Sequence, residues 1–277
     1  MTQEPTWQRR LVIGAIVFAV VLVVGYLLFV LTPWGQRHDE AAFVARYTMD
    51  RRIRRLADSL TDTVQISSIA LVAIAVLACA LLRGRVLAGF VIGIGWATAV
   101  CLAELFKWLL PRPIFMPSHR LMWLPDQSYP SGHVTVTTSA ALAIVLLVPA
   151  RWRPWAALGA GFVSAGYGGA VVVTGMHRPA DALGAIALSG VLMSIAAVAL
   201  SRVWGRRIEN VSSSRLPMFA CAIAAIVTAA LWWLFATRRF PNMHGEELVI
   251  FATAISAAAF SMCAWFGAQT RVFDWGR

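Results

Sequence analysis

Lysine is nearly missing from this chain. Lys107 is the only one among 277 residues, and every other basic side chain except histidine is arginine. Charge of either sign is scarce. Only 13% of residues are Asp, Glu, Lys or Arg, about half the share of a soluble domain, so an ordinary water-soluble fold is excluded. No internal repeat, low-complexity tract or soluble domain is present. The four cysteines, Cys79, Cys101, Cys221 and Cys263, lie in apolar segments at spacings that make no zinc site. They read as small packing residues. A net charge of +11 would suggest nucleic acid in a soluble protein. No basic helix with interleaved aromatics occurs here, so nucleic acid is not an expected partner. Arginines placed by the positive-inside rule, facing anionic headgroups, account for the charge.

What the chain has instead is apolar length. It is 59% hydrophobic, with a mean hydropathy of +0.71. Apolar segments lie at roughly 11–32, 66–82, 86–110, 133–150, 155–176, 180–203, 216–236 and 248–268. Segments of about 20 apolar residues predict bilayer-crossing helices, because lipid cannot satisfy an open backbone. The expected fold is therefore all-α, a polytopic transmembrane bundle. Its core spans 1–210, and a C-terminal transmembrane hairpin spans 211–277. The first run, Leu11 to Thr32, exceeds a typical cleaved h-region, and no small-residue cleavage pattern follows it. It reads as a retained helix. Gly159, Gly161, Ala165, Gly166, Gly168 and Gly169 predict close helix packing at the bundle centre.

Arginine placement predicts the orientation. With Arg9 and Arg10 inside, Arg83, Arg85, Arg151, Arg153, Arg202, Arg206, Arg207, Arg215, Arg271 and Arg277 also fall inside, as the positive-inside rule requires. The 33–65 connection runs against it, with Arg37, Arg46, Arg51, Arg52, Arg54 and Arg55 outside beside Asp39, Glu40, Asp50, Asp58 and Asp62. There Phe43, Tyr47, Ile53, Leu56 and Leu60 partly follow helical spacing, as in a short interfacial helix. A solvated charged face is the favoured reading of that segment.

The remaining polar groups cluster at helix ends. Lys107 closes the third apolar segment and His133 opens the fourth. His177 follows the fifth, and Asp181 opens the sixth. In either orientation all four share one membrane face. The cations Lys107 and Arg112 suit a phosphoryl group in a partly dry setting. Pro111 and Pro113 stiffen the chain around Arg112. Ser131 is a natural N-cap, and the amides of Gly132 and His133 would open a helix N-terminus toward an anion. Of His133 and His177, one imidazole can attack phosphorus while the other protonates the leaving oxygen. Asp181, four residues after His177, can fix its tautomer. Glu104, one turn before Lys107, is expected to pair with Lys107 or Arg112 and set its position. His119 and His244 read as loop histidines.

These motifs resemble the three-part signature of the type 2 phosphatidic acid phosphatase (PAP2) superfamily across roughly residues 86–203. Pro130-Ser131-Gly132-His133 matches the second motif, and His177 with Asp181 matches the end of the third. The resemblance implies a six-helix core, here with about two extra C-terminal helices. It also implies metal-independent dephosphorylation without a cofactor, through a phosphohistidine. His177 would be the nucleophile, Asp181 its orienting acid and His133 the general acid. Lys107, Arg112, Ser131 and the Gly132 amide would hold the phosphate. Two departures stand out. Four residues, not six, separate Lys107 from Arg112. Ala170 and Val171 occupy the positions of the third motif's Ser-Arg pair. Arg178 or Arg120 could supply the missing cation.

The function this implies is a multi-pass lipid phosphatase of the plasma (cytoplasmic) membrane. It would remove a terminal phosphate from a lipid phosphate or polyprenyl pyrophosphate at the outer face. Its partners would be that substrate and the phospholipid bilayer. The alternatives are a phosphotransferase on the same fold and a non-catalytic lipid-phosphate binder or transporter.

Overall fold

A computed structural model describes residues 6–82, 84–115, 128–203, 205–208, 215–239 and 245–275. Each apolar segment forms a helix. In chain order these are α1 (Thr6–Gly25), α4 (Ile66–Leu82), α5 (Val86–Leu109), α6 (Gly132–Leu147), α7 (Arg153–Thr174), α8 (Pro179–Val203), α9 (Leu216–Arg239) and α10 (Gly245–Thr270). Among the described residues, six helical stretches are long and apolar enough to cross a bilayer, and Ile69–Leu82 and Gly132–Leu147 are shorter apolar helices. The protein is an all-α, multi-pass membrane bundle. Its one strand pair described joins β1 (Gly205–Arg207) to β2 (Phe273–Trp275), antiparallel, with Arg206 opposite Asp274.

Small residues set the central packing. A Cβ at Gly161 would collide with the Phe260 ring, and one at Gly168 would lie 2.6 Å from Ile255. Both neighbours belong to α10, so the glycine-rich face of α7 lets α10 approach closely. On α10, Gly267 returns the fit against Ala157. The C-terminal helix is thus wedged against the bundle rather than hanging from it.

The 33–65 connection departs from its expected form. It holds two helices, α2 (Pro33–Ala45) and α3 (Arg51–Thr61). Thr32 caps α2 by accepting a hydrogen bond from the Gly35 amide at 2.9 Å, and Pro33 fits the first turn. Asp50 caps α3 through the Arg52 amide. Neither a solvated face nor an interfacial helix describes α2, because Gln36, Asp39, Glu40 and Phe43 are all buried. Only α3 keeps the amphipathic form. Arg51, Arg52 and Arg55 are exposed on it, while Ala57 is buried. Leu56, expected on the apolar face, is 71% exposed.

The end of the bundle remote from α6's N-terminus is tied by arginine. Buried Arg153 donates to the Thr270 and Phe273 carbonyls, each at 2.6 Å, and lies 3.6 Å from Asp274. Arg85 reaches the same carboxylate at 3.1 Å. Trp7 stacks on Phe273 with ring centroids 4.6 Å apart. Since Arg153 also donates to the Leu146 carbonyl, this cluster sits at the far end of α6, roughly 20 Å from His133.

Candidate active site

The opposite end is built around Asp181. Its Oδ1 accepts from Arg112 Nη2 at 2.5 Å. Its Oδ2 accepts from Ser128 Oγ at 2.7 Å and from the Arg178 amide at 3.1 Å, and lies 3.4 Å from His177 Nδ1. Its main-chain carbonyl accepts from the Ser131 amide at 2.9 Å. One fully buried residue therefore ties together the segments that carry Arg112, Ser131 and His177.

Local structure aims each group. Tyr26 lies in a π turn (Tyr26–Val30) after α1, and its hydroxyl donates to the Pro111 carbonyl at 2.6 Å. Gln36 donates to the Pro113 carbonyl at 2.5 Å and accepts from the Phe115 amide. These two clamps fix the Pro-Arg-Pro segment on either side of Arg112. Ser131 is the N-cap of α6, accepting from the Val134 amide at 3.4 Å, as its sequence position suggests. At the end of α7, Gly175 adopts φ +80°, and the His177 amide returns to the Val171 carbonyl at 3.1 Å. This left-handed turn suits glycine. It carries the chain from α7 into α8 and brings His177 over Asp181.

The two histidine rings lie edge to face, with centroids 6.3 Å apart and planes inclined at 63°. With His177 Nδ1 turned to Asp181, Nε2 is its free nitrogen. The two rings thus flank one small space, as attack by one imidazole and proton transfer by the other would require. Lys107 and Glu104 pair at 2.7 Å. Both lie over Gly132, where a Cβ would fall 2.7 Å from Glu104 Oε1 and 3.0 Å from Lys107 Nζ. Lys107, His133, Gly132, Ser131, His177, Asp181 and Arg112 are thus assembled at one end of the bundle.

Not every predicted cation is open. Arg178 is buried, with Nε 3.1 Å from Glu40 and its guanidinium over the Phe43 ring. Arg112 is buried between Asp181 and Asp39, the latter at 3.7 Å, and its Nε and Nη1 have no hydrogen-bond partner among the described residues. Val171, where the third motif would carry arginine, is fully buried in the apolar core. Arg120, the other proposed substitute, lies outside the described residues, as do His119 and His244. Breaking a buried ion pair costs about 3–5 kcal/mol, whereas an exposed pair is worth about 0–1 kcal/mol. Lys107, 21% exposed and bound to the half-exposed Glu104, is therefore the most exchangeable cation.

Sequence reasoning missed α2's part. Asp39 accepts from the Ala180 amide at 2.8 Å and faces Arg112, while Glu40 holds Arg178. Ser128 was also missed. The available signal was charge matching, since buried guanidinium groups in an apolar chain need carboxylate partners. Burial, opposed by Arg112, pushes the Asp39 carboxyl up to about 7.

Residues 87–206 match the model of the PAP2 superfamily. That segment of the chain is similar to the PAP2 superfamily. No curated protein and no solved structure matches the chain. The PAP2 segment runs from the start of α5 to β1 and contains every motif residue assembled above. The matched superfamily is of lipid-phosphatase type, and the bilayer-length helices mark a multi-pass membrane protein. The PAP2 segment ends before α9 and α10, yet α10 packs on its α7. Asp39 and Glu40, which pair with Arg112 and Arg178, also come from outside that segment.

Proposed function

We propose that the protein is a membrane lipid phosphatase acting on the terminal phosphate of a lipid phosphate or polyprenyl pyrophosphate at the outer face. The observation that carries this reading is the Asp181 hub, which orients His177 opposite His133 beside Lys107. His177 Nε2 attacks phosphorus, and the bond from phosphorus to the lipid oxygen breaks. Protonated His133 gives that oxygen its proton, releasing the lipid product and leaving a phosphohistidine. His133, now neutral, takes a proton from water as the water's oxygen attacks phosphorus. The P–N bond then breaks and phosphate leaves. Lys107 and the α6 N-terminal amides stabilise the charge on the equatorial oxygens. Arg112 contributes chiefly by holding Asp181, with its remaining donors available to an oxygen.

The proposed steps use protein groups alone. A panel of phosphatidic acid, phosphatidylglycerol phosphate and polyprenyl pyrophosphates, assayed for phosphate release in EDTA, tests the reading. We expect release by the wild type and a loss of at least ~10³-fold in His177→Ala. No release from any lipid, or full activity in His177→Ala, overturns it. Adding a hydroxyl acceptor separates hydrolysis from phosphotransfer, because a covalent intermediate permits both.

A further inference from the structure

Among the described residues, three cations predicted for the site each already face a carboxylate: Arg112 with Asp181 and Asp39, Arg178 with Glu40, Lys107 with Glu104. They differ in how far they can change partners. The two arginine pairs are buried on both sides, with side-chain exposures of 0–6%. Parting either would strand charge away from water. The Lys107–Glu104 pair is 21% and 56% exposed and can open at little cost.

The position of this pair matters as much as its exposure. Glu104 Oε1 hangs over the α carbon of Gly132, the first residue of α6, close enough that even a methyl group there would be crowded. His133 is the next residue, and both Lys107 and Glu104 lie within electrostatic reach of its ring. A phosphate held by Lys107 beside His133 would need the ammonium group that this carboxylate now uses.

We propose that Glu104 is a built-in anion of the site. Its carboxylate occupies the phosphate position and holds Lys107 until substrate displaces it, and by competing for that lysine it sets how tightly phosphate is held. Glu104 is a positioning residue acting through Lys107, and the proposal rests on the lipid phosphatase reading above. The consequence is a site matched to turnover. An uncompensated lysine would retain the phosphate product, whereas returning Glu104 helps to expel it.

Inorganic phosphate is the probe. Its binding to the full-length protein is read as competitive inhibition of lipid-phosphate hydrolysis and, separately, by phosphorus NMR titration. Glu104→Gln keeps the shape of a half-exposed side chain while removing its charge. We expect phosphate to bind about three- to fivefold tighter. KM for the lipid phosphate should fall by a similar factor, with kcat changed less than about threefold. Glu104→Asp keeps the charge and should stay within about twofold of wild type in phosphate binding. A Glu104 that merely buttresses Lys107 gives the opposite sign, with weaker phosphate binding and raised KM in Glu104→Gln, and that result overturns the proposal. Unchanged binding and KM in a hydrolysing Glu104→Gln protein also overturn it, while leaving the phosphatase reading intact. A wild type that neither binds phosphate nor releases it from lipid sinks both.

Discussion

At the scale of single residues, Asp181 does more than orient a histidine. It holds Arg112 at 2.5 Å and Ser128 at 2.7 Å, and its own carbonyl receives the Ser131 amide. Asp181→Asn keeps the shape and the main-chain bond but presents an amide where acceptor oxygens are needed. We expect kcat to fall by about 10³–10⁴-fold with KM changed far less, measured on the best substrate of the lipid panel. A loss under tenfold would show that His177 is held by something else. Asp39 contributes a pH dependence of its own. Its folded carboxyl titrates at about 7 against 3.8 ordinarily, so between those values the folded state binds a proton that the unfolded state has released. Stability therefore falls as pH rises through that window. Thermal unfolding in detergent should show a midpoint that declines from pH 4 toward 7 and a flatter profile in Asp39→Asn. An equal slope in the two proteins would remove Asp39 from the explanation.

At the scale of elements, what was legible depended on whether a segment's pattern is local. The transmembrane helices could be read because long apolar runs have one solution in lipid. The Ser131 cap could be read because a Ser-Gly-His start before such a run is a local signal. Helix α2 could not. Its Asp39, Glu40 and Gln36 look like a solvated face until Arg112, Arg178 and the Pro113 carbonyl are placed against them, and those partners lie more than 70 residues away. Phe43, expected on a lipid-facing stripe, is instead buried beneath the guanidinium groups of Arg46 and Arg178. The α7–α8 turn is the most sensitive junction. Gly175 sits at φ +80°, and a Cβ there would collide with the Arg46 guanidinium. Gly175→Ala should lower stability by about 1–3 kcal/mol and reduce activity through His177, two residues on. Unfolding temperature and turnover unchanged in that variant would mean that the turn is freer than its geometry implies.

At the scale of the whole molecule, the bundle is polarised end to end. One end gathers His133, His177, Asp181 and Lys107; the other gathers Arg85, Arg153, Trp7 and Asp274. The sequence carried this division because polar residues sit at alternate ends of its apolar runs. The pairing of each cation with a particular carboxylate was beyond it, since that depends on how α2 folds back beneath the α7–α8 turn. On the proposed reading, the arrangement serves to make and break one P–N bond at His177. Brief mixing with a lipid substrate labelled in its terminal phosphate, followed by a rapid alkaline quench and mapping of the label, tests that most directly. We expect acid-labile label on His177 in the wild type and none in His177→Ala. Turnover by the wild type with no labelled histidine, or label persisting in His177→Ala, would contradict it.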